Sequence, residues 1–140
     1  MLNLDDHQPP VKPFALFELG FRPFFLAAGL FAVVAMATWM AIFLFGWQGG
    51  DPALAAMFWH GHEMVFGYAL AVVAGFLLTA VRNWTGVDTP RGTGLMFIVL
   101  PWLLGRVGFF IPGGQGIWIS LLGDSLFMLA LIIGVTRPVV

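Results

Sequence analysis

The chain reads as an all-α membrane protein, a bundle of four transmembrane helices, on three observations. Of its 140 residues, 60% are hydrophobic and only 9% charged, against roughly 25% charged residues in a soluble domain. Its mean hydropathy is +0.94, so too few polar residues exist to cover an apolar core with a wettable surface. Its apolar residues also fall into four runs, each near the ~20 residues needed to cross a bilayer. A net charge of −1 says nothing about nucleic acid, and no basic cluster suggests a nucleic-acid partner. The absence of cysteine excludes disulfides, thiolate metal sites and covalent c-type haem attachment.

The first span is predicted over about 23–45, ending before Gly46-Trp47-Gln48-Gly49-Gly50-Asp51-Pro52. The second covers about 58–81. The third, about 95–111, stops at Pro112-Gly113-Gly114, and Pro101 inside it is expected to kink it. The fourth, about 117–136, halts before Pro138. Residues 1–22 form a polar, Pro-rich cytoplasmic tail and interfacial lead-in without the apolar core and small-residue cleavage site of a signal peptide. Residues 23–140 form the four-span membrane domain.

Topology follows from the basic residues. Lys12 and Arg22 precede the first span, Arg82 and Arg91 follow the second, and Arg137 follows the fourth, while the two other loops carry no Lys or Arg. The positive-inside rule therefore puts both termini in the cytoplasm. Trp47, Trp59 and Trp118 fall at the opposite ends of the spans and Trp84 at the cytoplasmic end, as an aromatic belt requires. The sixth basic residue, Arg106, lies inside the third span.

Arg106 belongs to a polar layer. Glu63 lies ~6 Å inside the outer end of the second span at 1.5 Å per residue, and Arg106 and Asp124 lie at similar depth on the third and fourth. Pairing Arg106 with Glu63 or Asp124 would satisfy charges that are costly in a low-dielectric interior. The plain alternative is that these charges only hold helices together. The richest stretch is Trp59-His60-Gly61-His62-Glu63-Met64-Val65-Phe66-Gly67-Tyr68, where two imidazoles, a carboxylate and a thioether open an apolar run. Glu63, Gly67, Ala71, Gly75 and Thr79 recur every four residues, a ridge of mostly small residues that lets membrane helices approach closely. At 100° per residue His60 and Met64 share that face and His62 points almost the opposite way. A regular helix therefore cannot bring both imidazoles to one metal ion. Either it is unwound at Gly61, or the two histidines do different jobs.

Imidazole is a haem axial ligand and suits copper, a thioether can ligate either, and a neighbouring carboxylate can orient a ligating imidazole. His60 and His62 are the candidate metal ligands, with Met64 a further cofactor-binding candidate whose plainer role is apolar packing. The run starting His62-Glu63 begins like a metalloprotease HExxH motif but has Phe66 where the second histidine must stand, so that reading fails. A proton relay through His60, Glu63 and Asp124 is a chemical alternative. His7 reads as a solvated tail residue, and Asn83-Trp84-Thr85 is discounted as a glycosylation acceptor because its loop is predicted cytoplasmic.

Four ordered stretches resemble the NnrS family, bacterial inner-membrane proteins of the nitric oxide response that carry haem and copper. They are Leu19-Gly20-Phe21-Arg22-Pro23-Phe24-Phe25-Leu26, Trp59 to Gly67, Gly75 to Gly86, and Trp102-Leu103-Leu104-Gly105-Arg106. The resemblance departs at Arg82, where the family usually has a hydrophobic residue or Pro. It implies a multi-pass protein of the bacterial inner membrane that binds haem, and with it copper, at His60 and His62. Glu63 and Arg106 would be supporting residues, and nitric oxide or a related small molecule a partner. Arg22 then has two readings, a headgroup-level charge or a contact to a haem propionate or Glu18. Family members are longer, so the chain is expected to be a truncated or partial member whose site needs additional spans or a second copy. Two other function classes stand beside this one. They are a transport or proton-conducting module using Glu63, Arg106 and Asp124, and an inert fragment in which those residues only pack helices. No nucleophile–base set is visible, so the sequence assigns no catalysis.

Overall fold

The computed structural model describes residues 16–47 and 56–139. His7, Lys12 and most of the loop after the first span lie outside the described residues. Those described form helices and connecting turns, with no strand among them. After a 3-10 turn at Leu16–Glu18, α1 runs Phe21–Phe45. The second, α2, runs Ala56–Thr85 and contains a π-helical stretch, Glu63–Ala69. The third, α3, is Thr93–Gly108, and the fourth, α4, is Gln115–Thr136. Three of these, α1, α2 and α4, are long and apolar enough to span a bilayer, and α3 is a shorter apolar helix.

The ends differ from expectation for local reasons. The α2 helix runs to Thr85 rather than about 81, and Gly86 then takes φ 69° to cap it, a left-handed conformation that glycine adopts without steric cost. The α3 helix stops at Gly108, three residues before the predicted end. The turn from Phe109 through Gly114 uses left-handed Gly113 and Gly114 to reverse the chain.

Neighbours pack through small residues. Along the α3–α4 hairpin Gly105 and Gly108 face Gly116, Ser120 and Gly123. A Cβ on Gly123 would sit 2.5 Å from the Gly105 nitrogen, and one on Gly116 would sit 2.3 Å from the Gly108 carbonyl oxygen. Ser120 Oγ donates to the Gly105 carbonyl at 2.8 Å. Membrane helices cannot rely on hydrophobic exclusion to associate, so such close packing and interhelical hydrogen bonds hold them. The core lies between all four helices, from Phe24 and Ala28 on α1 through Ala71, Ala74 and Leu78 on α2 to Leu95, Ile98 and Trp102 on α3 and Phe127 and Leu131 on α4. Large apolar side chains such as Val33, Phe43 and Phe97 point outward, as they should where the solvent is hydrocarbon. Of the expected aromatic belt, Trp84 and Trp118 are exposed at opposite ends, but Trp59 is buried and packs against Phe110.

At the end of the bundle where α2 finishes and α3 begins, Asp88 pairs with Arg82 at 3.0 Å and with Arg91. Thr89 Oγ1 donates to the Leu78 carbonyl, and Gly92 N–H to the Phe17 carbonyl. These bonds tie the loop and the 3-10 turn to the bundle.

Candidate functional site

At the other end, four ionisable side chains from three helices close a ring. His62 Nδ1 hydrogen-bonds Glu63 Oε1 at 3.2 Å. Glu63 Oε2 contacts Arg106 Nε at 2.8 Å. Arg106 Nη2 donates to Asp124 Oδ1 at 2.7 Å, and Asp124 Oδ2 lies 3.2 Å from His62 Nε2. Two sides are aligned hydrogen bonds. The other two are ion-pair contacts, because Glu63 Oε2, Arg106 Nε and Asp124 Oδ2 lack an aligned hydrogen-bond partner. Glu63, Arg106 and Asp124 are all buried. Arg106 thus contacts both carboxylates that the sequence offered it as alternatives.

Adjacent residues 62 and 63 both reach the ring where the helix passes into its π stretch. A π turn inserts one residue into an α-helix, so His60, His62 and Glu63 shift together relative to Ala71, Gly75 and Thr79 further along α2. Gly61 itself stays helical; the irregularity begins two residues later. The inserted turn disturbs the backbone ladder, and α3 supplies donors to it. Trp102 Nε1 donates to the Gly67 carbonyl at 3.0 Å and Arg106 Nη1 to the Phe66 carbonyl at 2.9 Å. Gly67 must be glycine here, since a Cβ would meet the Phe31 ring at 2.3 Å and Glu63 Oε2 at 2.7 Å. Trp102 also lies beneath the Arg106 guanidinium, 5.9 Å from its centroid. The sequence marked Trp102 only within a stretch of family resemblance, and no pattern in α2 signals the π turn or the bond Trp102 makes to it.

His62 is held between Phe66, stacked at 4.6 Å, and the edge of Phe109 at 4.7 Å. Both its nitrogens face carboxylate oxygens, and imidazole can donate to both only when doubly protonated. In that form the ring carries two positive and two negative charges; with neutral imidazole it carries one excess negative charge.

His60 lies elsewhere. Its ring stacks on Trp39 of α1 with centroids 4.3 Å apart, and its Nδ1 is buried without a hydrogen-bond partner. The two histidines therefore occupy separate environments. Met64 is half-buried and is not part of the ring. Arg22 is exposed in the first turn of α1, at the opposite end of the bundle from the ring.

The donor chemistry fits one cofactor better than the other. A buried imidazole nitrogen with no protein partner suits a single axial ligand to haem, and His60 provides it. Copper needs several convergent nitrogen, sulfur or oxygen donors. Among the described residues no group of three or more His, Asp or Glu is arranged to hold a metal ion, and the His62 nitrogens are already faced by carboxylates. These residues do not form a copper set.

Fold and site together define a multi-pass α-helical membrane protein with a buried histidine–carboxylate–arginine ring. The chain matches the NnrS protein family over residues 15–140, nearly its whole length, and it belongs to that family. Membership supports a haem/copper membrane protein related to the nitric oxide response, at the level of the family. Comparison with curated proteins and with solved structures found no match.

Proposed function

We propose that this chain is a haem-binding protein of the bacterial inner membrane that contributes to resistance to nitric oxide and nitrosative stress, with His60 as the haem ligand. The observation that carries the residue assignment is the buried, unpartnered His60 Nδ1 held flat against Trp39. Haem, when bound, supplies an iron that takes a diatomic gas and exchanges an electron. Trp39 fixes the His60 ring plane. The neighbouring ring of Glu63, Arg106, Asp124 and His62 sets a rigid charge environment, with Arg106 offsetting the carboxylates. Copper ligation and completion of the site fall to additional transmembrane spans or to a second copy of the chain. The arginine-rich end of the bundle faces the cytoplasm, so the ring lies toward the outer side.

The test is the optical spectrum of the purified protein, oxidised and reduced, with an iron and copper assay. A Soret band lost in His60→Ala and kept in His62→Ala is the expected result. A folded protein purified with its full haem supply that shows no Soret band and no iron would overturn the reading.

A specific observation favours a second reading, a proton-conducting module. His62 sits between two carboxylates in an otherwise apolar bundle, an arrangement typical of proton relays. Proteoliposomes carrying the protein would then dissipate an imposed pH gradient, and Glu63→Gln would abolish the flux. Unchanged flux in that variant rules the module out.

A further inference from the structure

Far from the ring, the loop after α2, the start of α3 and the end of α4 form a half-open cavity of about 470 Å³. That lies within the roughly 300–1,000 Å³ of small-molecule sites. Its walls are of two kinds. Phe97, Ile133 and Gly134 give an apolar slot, and Phe97 is 72% exposed on the lipid-facing side. Asp88, Arg91 and Arg137 give a polar mouth. Asp88 is already shared between Arg82 and Arg91, so its charge is taken up within the protein. Arg137 makes no ion pair or hydrogen bond through its side chain to any described residue. Gly134 lets α4 pack closely on the loop and α3 there, since a Cβ on it would lie 3.2 Å from Pro90 Cγ and 3.3 Å from Ile98 Cδ1.

We propose that this cavity is a binding site for an anionic glycerophospholipid of the adjoining leaflet, its phosphate on Arg137 and Arg91 and the start of an acyl chain along Phe97 and Ile133. The argument is charge complementarity at the right depth. A guanidinium without an ion pair among the described residues sits beside an apolar slot walled by the exposed Phe97, which is how basic pockets between transmembrane helices hold lipid headgroups. A free phosphate would use the arginines and leave the slot empty. A zwitterionic lipid would fill the slot but bring a choline toward an arginine. The proposal does not depend on the haem reading, since the cavity and His60 lie at opposite ends of the bundle.

Native mass spectrometry of the full chain in detergent tests it, with phosphatidylglycerol, phosphatidylcholine of the same acyl chains, and inorganic phosphate as probes. Phosphatidylglycerol is expected to bind preferentially, and Arg137→Gln to weaken it about five- to tenfold, the scale of one interfacial cation on an anionic lipid. Phe97→Ala is expected to weaken it as well. Both side chains are exposed, so neither change threatens the fold. Arg22→Gln, a charge removed at the same end but outside the cavity, is expected to leave binding unchanged. Equal binding of the two lipids overturns the proposal, as does an Arg22→Gln effect as large as that of Arg137→Gln. Displacement of the lipid by inorganic phosphate, with Phe97→Ala silent, overturns it in favour of a free-anion site.

Discussion

The two ends of this bundle each hold a cluster of charges, and the clusters are built from nearly the same parts. At one end Arg82, Asp88 and Arg91 form a clasp between the end of α2 and the loop after it, with Asp88 exposed. At the other, Glu63, Arg106, Asp124 and His62 form a ring in which three of the four side chains are buried. Exposed pairs gain little, about 0–1 kcal/mol, because water and salt already solvate the separated charges. Buried pairs have given up that solvation, so each member depends on the others, and removing one strands a charge at a cost of about 3–5 kcal/mol. The same chemistry contributes little at one end and is obligatory at the other. Burial is the whole difference.

The largest effect is therefore expected from Arg106→Gln. It leaves two carboxylates facing each other across the ring and the Phe66 carbonyl without its donor, and should cost about 3–5 kcal/mol in detergent-denaturant unfolding. Adding Asp124→Asn to that variant should restore part of the loss, because Glu63 and protonated His62 then balance. A double variant as unstable as the sum of the two single changes would show that charge balance does not govern the ring.

Gly67→Ala comes next. Its new methyl group meets Phe31 and Glu63, and overpacking of this kind costs about 1–3 kcal/mol. If the π turn is what positions His62, the same variant should also disturb the contact between His62 and Asp124. A cysteine pair in place of His62 and Asp124, bridged by a short bifunctional thiol reagent because the native side chains meet at their tips, reads this directly, since the chain has no native cysteine to interfere. Cross-linking is expected with Gly67 intact and reduced in the Gly67→Ala background.

Trp102→Phe keeps the aromatic packing against Phe31 but removes the hydrogen bond to the Gly67 carbonyl, for a loss of about 0.5–1.5 kcal/mol. The smallest effect is expected from Asp88→Asn at the clasp, within about 1 kcal/mol and shrinking further as salt is raised. A loss there as large as at Arg106 would remove the contrast between the two ends.

The sequence by itself determined the solvent, the four helices and the charges that lie inside them. Apolar composition and run length need no neighbours to be read, and a charge inside a span is conspicuous wherever it stands. Similar depths for Glu63, Arg106 and Asp124 followed from counting along antiparallel helices, so the polar layer was legible. Only the tertiary structure decided how that layer closes. Helical periodicity assumes one rotation per residue throughout, and the π turn at Glu63–Ala69 breaks that assumption. It shifts the end of α2 that carries His60, His62 and Glu63 relative to the small-residue ridge beyond it. The turn is held by Trp102 and Arg106, more than thirty residues away in the chain, and no local pattern in α2 encodes a donor that arrives from α3. The cavity at the other end was hidden for the same reason. Arg137 reads as one more flanking charge until α3, α4 and the loop before them are packed around it.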